Sequence, residues 1–272
     1  GQGNTEPPSD LFIQRQTNGD AADENRDFEF RASRLDLARI HALTMHFPLP
    51  DDVRKMLNQM QPAGVLKGLD VNAQIRRGVL AEYALTSAFD GLALHSDDGQ
   101  KFVRGLSGKV DLTHAQGKLM LDSKDSVLAA PGLLPINQVP LSQLSGKISW
   151  QKNPEGLSIK IKSLQLQNDD LQAVVNGSWS GKTGDSLSER ERAGVVDMKI
   201  VFDYAKTESG WKYVPLSASA DISSWMKGAI SDGTLSDFRI EMAGPVWDMP
   251  FGSPVPGSAP GSSEATGVEG KF

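Results

Sequence analysis

At 272 residues the chain is long enough to bury a sizeable core, and its 28 basic and 34 acidic side chains leave a formal charge of −6. No cationic cluster stands ready to neutralise phosphates, so a nucleic-acid partner is excluded and an anionic membrane surface is disfavoured. Without cysteine there is no disulfide, thiolate zinc, iron–sulfur or thiol chemistry, and no run reaches the ~18–20 apolar residues of a membrane span.

The chain opens Gly1-Gln2-Gly3-Asn4, with no Met, basic region or apolar stretch of a signal peptide. The expectation is a fragment whose targeting segment lies upstream. Residues 1–10 are polar with Pro7-Pro8 and read as a disordered tail. Residues 11–251 read as one repetitive antiparallel β region, and 252–272, rich in Gly, Ser and Pro, as a linker or tail.

A short strand ending Leu35-Asp36-Leu37 comes first. Val53, Met56, Leu57 and Met60 then fall on one helical face, predicting a helix over 51–61, capped by Asp51 or Asp52 and stopped by Pro62 and Gly64. Beyond it, apolar and polar residues alternate. Val110 and Leu112 flank Asp111, Leu119 and Leu121 flank Met120, Ile148 and Trp150 flank Ser149, and Ile159 and Ile161 flank Lys160. Period two is the pattern of strands with one covered and one wet face. Gly99, Gly117, Asn153-Pro154 and Asn168-Asp169-Asp170 punctuate the runs as hairpin turns. Between Ile161 and Leu164 the apolar phase slips from odd to even positions, so a bulge or break is expected near Lys162-Ser163. Ser180–Arg192 reads as a long loop, Trp211 and Tyr213 as cross-strand packing, and Ser223–Ile230 as a second short helix.

Two internal repeats appear. Leu106-Ser107-Gly108-Lys109-Val110-Asp111-Leu112 matches Leu144-Ser145-Gly146-Lys147-Ile148-Ser149-Trp150, each leading through a polar turn into another strand. Gly64-Val65-Leu66-Lys67-Gly68-Leu69-Asp70-Val71 matches Gly233-Thr234-Leu235-Ser236-Asp237-Phe238-Arg239-Ile240, each after a predicted helix and a strand ending Leu35-Asp36-Leu37 or Ala220-Asp221-Ile222. Such self-similarity indicates growth by repetition.

Chemistry-bearing patterns are lacking. His41, His46, His95 and His114 fit no metal spacing and read as loop or turn histidines. Asp97-Asp98-Gly99 has no further calcium ligands, and Gly105-Leu106-Ser107-Gly108 is no nucleophile elbow. The expectation is a non-enzyme with no cofactor and no metal.

The fold expected is mainly β with two short helices, a long curved antiparallel sheet of repeated hairpins forming an open groove; a closed β-sandwich is the alternative. Two short helices cannot cover ten or so strands of 5–7 residues, roughly 17–23 Å each, which leaves a sandwich, a barrel or a strongly curved sheet with an open concave face. Val110, Leu112, Leu119, Leu121, Ile148, Trp150, Ile159 and Ile161 are the candidate lining; on residues alone, a dry sandwich core is the favoured account of them.

Arg34-Leu35-Asp36-Leu37, Phe47-Pro48-Leu49-Pro50, Pro62-Ala63-Gly64-Val65-Leu66, Tyr83-Ala84-Leu85, Phe89-Asp90-Gly91-Leu92, Gly105-Leu106-Ser107-Gly108, Gly117 to Ser123, Leu144-Ser145-Gly146 and Gly233 to Asp237 together resemble the central region of the YhdP-type, AsmA-like and TamB-like envelope proteins. The resemblance runs from about Phe28 to Phe251, without counterparts for Ser180–Arg192 or the tail. It implies a periplasmic section of a bridge-like lipid transfer protein, anchored in the inner membrane through a segment outside this chain. Phospholipid acyl chains are then the implied ligand. The rest of the same polypeptide at both ends, and proteins of the inner and outer membranes, are the further partners. A structural scaffold that binds partner proteins along its sheet edges is the alternative.

Overall fold

A computed structural model describes residues 11–17, 26–38, 55, 59–77, 79–96, 102–129, 131–132, 134–184, 186–214, 216 and 233–248. The predicted helix over 51–61 lies mostly outside them, with Lys55, Gln59 and Met60 described and helical. The helix predicted at 223–230, Ala220–Ile222, Asp97–Gly99, His41, His46 and both terminal tails lie outside them.

The protein is mainly β and antiparallel, with strands ordered as in the chain. It divides into two compact units, Gly1–Leu119 and Met120–Phe272. The first contains β1 (Leu11–Thr17), β2 (Arg26–Asp36), β3 (Ala63–Arg76), β4 (Val79–His95) and β5 (Phe102–Thr113), each paired antiparallel with the next. β6 (Gln116–Ala129) carries the chain into the second unit. There β7 (Gln138–Asn153), β8 (Gly156–Gln167), β9 (Leu171–Gly181) and β10 (Val195–Lys206) pair in turn, and β11 (Thr234–Leu235) and β12 (Phe238–Pro245) both pair with the far side of β10. In neither unit does the last described strand return to pair with the first, so the sheet is open. The closed sandwich is not the fold.

Most strands are longer than the 5–7 residues expected, β4 reaching 17, while β1 has 7 and β11 has 2. In β8 the strand runs on through the bulge anticipated at Lys162-Ser163. Ile161 pairs with Gly177 and Leu164 with Val175, so β8 takes three steps where β9 takes two. Ser163 absorbs the extra residue at φ 50°, in the left-handed region, and its N–H donates to Asn176 Oδ1 at 2.8 Å. Side chains beyond the bulge thereby keep their face. Glycines that look like strand ends do the same: Gly68 in β3 (φ 60°), Gly91 in β4 (φ 61°) and Gly105 in β5 (φ 77°) sit inside continuous strands.

The first repeat falls on matching strands, and of the second the Gly-turn and following strand are described, its helices and Ala220–Ile222 lying largely outside the described residues. β5 and β7 carry the two copies of the first. In the second, Gly64 and Gly68 of β3 match Gly233 and Asp237, and all four have positive φ. β11 and β12 hold one register against β10 on either side of Asp237, as one strand interrupted by a left-handed residue.

Two local readings need correction. Ser180–Arg192 is not loop throughout: α1 (Glu189–Ala193) starts with a capping box, Ser188 Oγ accepting from Glu191 N–H at 3.3 Å and Glu191 Oε2 from Ser188 N–H at 3.1 Å. The Ser-x-x-Glu signature was present in the sequence. Trp211 and Tyr213 belong to a 3-10 helix, Thr207–Tyr213, not to paired strands.

That helix is strapped to the β8–β9 turn by Asp170. Its carboxylate accepts from Ser209 Oγ (2.8 Å), Lys212 Nζ (2.8 Å) and Tyr213 Oη (3.0 Å), while Asn168 Nδ2 donates to Tyr213 Oη at 2.9 Å. Burial first, then the Asp170 carboxylate against the opposing Asn168 amide, pushes the Tyr213 hydroxyl up to about 12. With the folded value raised, this contribution to stability is complete below the ordinary value near 10 and is lost as pH rises through about 12. Ultraviolet titration should therefore contain a tyrosinate transition at about 12 that Tyr213→Phe removes. Its persistence in the variant would refute the assignment.

Candidate functional site

Cross-strand pairing sets which side chains share a face. In the second unit one row runs Trp150, Ile159, Trp179, Val196, and the next Ile148, Ile161, Gly177, Met198, Met242. Two further rows hold Leu164, Val175, Ile200, Ile240 and Leu144, Leu166, Ala173, Phe202, Phe238. The same registers place Ser149, Lys160, Ser178 and Asp197 on the reverse face. One side of five neighbouring strands is therefore apolar along its length and the other mostly polar, with Val174, Val195 and Val201 among its residues.

The first unit repeats the arrangement. Phe30, Val71, Leu85 and Leu112 form one row, Leu35, Leu66, Phe89 and Gly108 another, and Val110 stands opposite Ser87 on the same face. The reverse face carries Arg31, Asp70, Thr86 and Asp111 in register. Exposed ion pairs cross it: Arg31 with Asp70 at 3.0 Å and Lys67 with Asp90 at 2.9 Å, each worth about 0–1 kcal/mol. The Lys67 ammonium, hydrogen-bonded to Asp90, and then the Ser107 hydroxyl hold the Asp90 carboxyl below its ordinary value.

The eight candidate residues thus divide by unit. Ile148, Trp150, Ile159 and Ile161 are brought together as two direct cross-strand pairs in the second. Val110 and Leu112 lie on the apolar face of the first. Leu119 and Leu121 both belong to β6, Leu121 buried and Leu119 half-buried. Alternation missed Val175, Ile200, Phe202, Phe238 and Ile240, which extend the same face.

Exposure along that face is uneven. Leu144, Ala173 and Val175 are buried, whereas Ile148, Trp150, Ile159, Ile161, Met198, Ile200, Ile240 and Met242 are half-buried. A facing sheet would bury all of them, and among the described residues no second sheet covers the face. Among the described residues no cluster of three or more His, Asp or Glu could hold a metal ion. His95 is no loop residue; it ends β4, opposite Phe102, with ring centroids 5.7 Å apart. His114 does occupy the turn after β5 and meets Tyr83 edge-on. Among the described residues no helix is long and apolar enough to cross a membrane.

The family model for the YhdP protein matches residues 1–257. The chain belongs to the YhdP family. The match runs through Ser180–Arg192, which the residue-level resemblance had left without a counterpart. At the family level, YhdP membership makes this an envelope protein of a non-enzymatic, lipid-transport family. No curated protein and no solved structure matches the chain.

Proposed function

We propose that the apolar face of each unit is a length of trough wall that shelters phospholipid acyl chains, in a periplasmic protein tethered to the inner membrane and conducting lipid between the inner and outer membranes. The observation that carries this is the run of half-buried apolar rows backed by a mostly polar reverse face. An aliphatic tail laid along the rows gains about 0.8 kcal/mol for each CH₂ taken out of water, without any polar ligand set. Val110, Leu112, Leu119, Leu121, Ile148, Trp150, Ile159 and Ile161 are proposed as lining, with the rest of the polypeptide prolonging the wall at both ends. Partner proteins in the two membranes would receive and supply the lipid.

A photoreactive side chain separates this from a scaffold role. Placed at Ile161 in chain directed to the periplasm, it is expected to crosslink phospholipid, and at Lys160, one residue away on the polar face, it is not. Native mass spectrometry should find co-purifying phospholipid that Ile161→Asp reduces about tenfold, a carboxylate being several kcal/mol out of place among acyl chains. Lipid-free protein that crosslinks only to other proteins from both positions would overturn the reading in favour of the scaffold.

A further inference from the structure

The bulge at Ser163 is one of a series. In β2, β3, β4, β5, β8 and β10, two residues on the apolar face stand three positions apart: Ala32 and Leu35, Leu66 and Leu69, Phe89 and Leu92, Val103 and Leu106, Ile161 and Leu164, Phe202 and Ala205. Leu235 and Phe238 do the same across the β11–β12 interruption, and the buried Ser123 and Ser126 share the spacing in β6. Within six of these intervals the second interposed residue is left-handed: Gly68, Gly91, Gly105, Asp125, Ser163 and Asp237, at φ from 50° to 77°. The residue before it is Lys67, Asp90, Arg104, Lys124, Lys162 or Ser236, exposed in every case. β9 alternates without interruption from Leu171 to Trp179.

An element repeated in strand after strand at the cost of left-handed Asp and Ser residues is not a defect of packing. The apolar side advances by two side chains while the polar side takes on one residue more. Such a strand bends, with its longer arc on the polar side and its concave side toward the apolar rows. Polar side chains hold the bend. Asn176 Oδ1 receives the Ser163 N–H, and Ser107 Oγ accepts from Gly91 N–H at 3.2 Å while donating to Asp90 Oδ1 at 3.0 Å.

We infer that these bulges set the bend of the strands around the ligand, and so the number of acyl chains each unit accommodates, with Ser107 and Asn176 as positioning residues. The inference rests on the lipid reading above and adds the determinant of capacity.

Deletion tests it cleanly, because the registers show what a shortened strand would pair with. Removing Ser163, Asp203 and Asp237 together leaves Ile161 opposite Gly177, Leu164 opposite Val175, Phe202 opposite Ala173 and Phe238, and Ala205 opposite Leu171 and Leu235. Each apolar side chain keeps its face, and the bulges are gone. Spin labels at Ser158 and Gln167, on the polar side at the two ends of β8, report the bend without reference to lipid. Native mass spectrometry counts phospholipid on the same protein.

The expected result is a folded variant in which the label distance departs from the unaltered chain's by more than the one missing residue accounts for, carrying about half the phospholipid. A control with Ser163→Gly and Asp237→Gly, which retains left-handed conformers, should match the unaltered chain in both readouts. If the triple deletion does not fold, the Ser163 deletion alone carries the same two measurements. A changed distance with unchanged lipid count overturns the inference and leaves the lipid reading standing. An unchanged distance overturns it at the first step. Absence of phospholipid from the unaltered chain removes the reading on which it rests.

Discussion

Gly146→Ala is expected to destabilise the second unit by about 3 kcal/mol, while Gly68→Ala costs about 1 kcal/mol. A Cβ at Gly146 would stand 2.6 Å from Leu164 Cα and 2.8 Å from Ser163 O, backbone atoms that move only if β8 moves. Its φ of 152° adds a conformation that alanine resists. Gly146 lies where β7 meets the β8 bulge: the register shifts between Ser145 and Lys147 on one strand as the extra residue enters the other. Closing that gap forces either the bulge or the β7–β8 pairing to yield. At Gly68 a Cβ meets nothing within 4 Å, so the penalty is that of the left-handed φ alone. Urea midpoints of the two variants check the contrast. Equal losses would mean that the close approach at Gly146 relaxes freely, and that β7 does not rest against the bulge.

Much of this architecture is written in the alternation of the chain. Ile148, Trp150, Ile159 and Ile161 announce a common face because Ser, Lys and Gln separate them, and the structure pairs them directly. The neighbouring strands hide theirs. β9 places Val174 beside Val175 and uses Ala173 and Gly177 on the apolar face, so its period fades. β10 runs Ile200-Val201-Phe202, where three consecutive apolar residues carry no phase of their own. The slip between Ile161 and Leu164 was legible because Lys162 and Ser163 are both polar. Lys67-Gly68, Asp90-Gly91 and Arg104-Gly105 obey the same rule, yet each Gly also reads as the end of a strand. Local sequence could not separate the two readings, because a left-handed glycine serves a turn and a bulge equally well; only the partner strand, running on without a break, decides. Trp211 and Tyr213 illustrate the converse. Two aromatics two residues apart fit a strand, but Asp170, some forty residues earlier, captures Lys212 and Tyr213 together and holds them on one helical turn.

Asp170→Ala is expected to release that turn, at about 3 kcal/mol. The carboxylate gathers three donors from Ser209, Lys212 and Tyr213, and its own backbone carbonyl accepts from Lys206 N–H at 2.8 Å. Removing it leaves Ser209, 5% exposed, and the half-buried Lys212 ammonium without the acceptor that compensates their desolvation. Burial by itself raises the Asp170 carboxyl, and the hydrogen bonds from Lys212, Ser209 and Tyr213 together outweigh it, so the folded value lies below the ordinary one. A depressed carboxyl contributes its stability above the unfolded value, near 3.9, and loses it as pH falls through the folded value. The gap between the parent chain and Asp170→Ala should therefore be widest at neutral pH and narrow only below about pH 4. Asp170→Asn, which keeps the shape but cannot accept from all three donors, should fall between them at neutral pH. Chemical denaturation of the three proteins at pH 7 and pH 3 checks each part. A gap independent of pH would show that shape, not the charge on Asp170, holds the 3-10 helix to the β8–β9 turn.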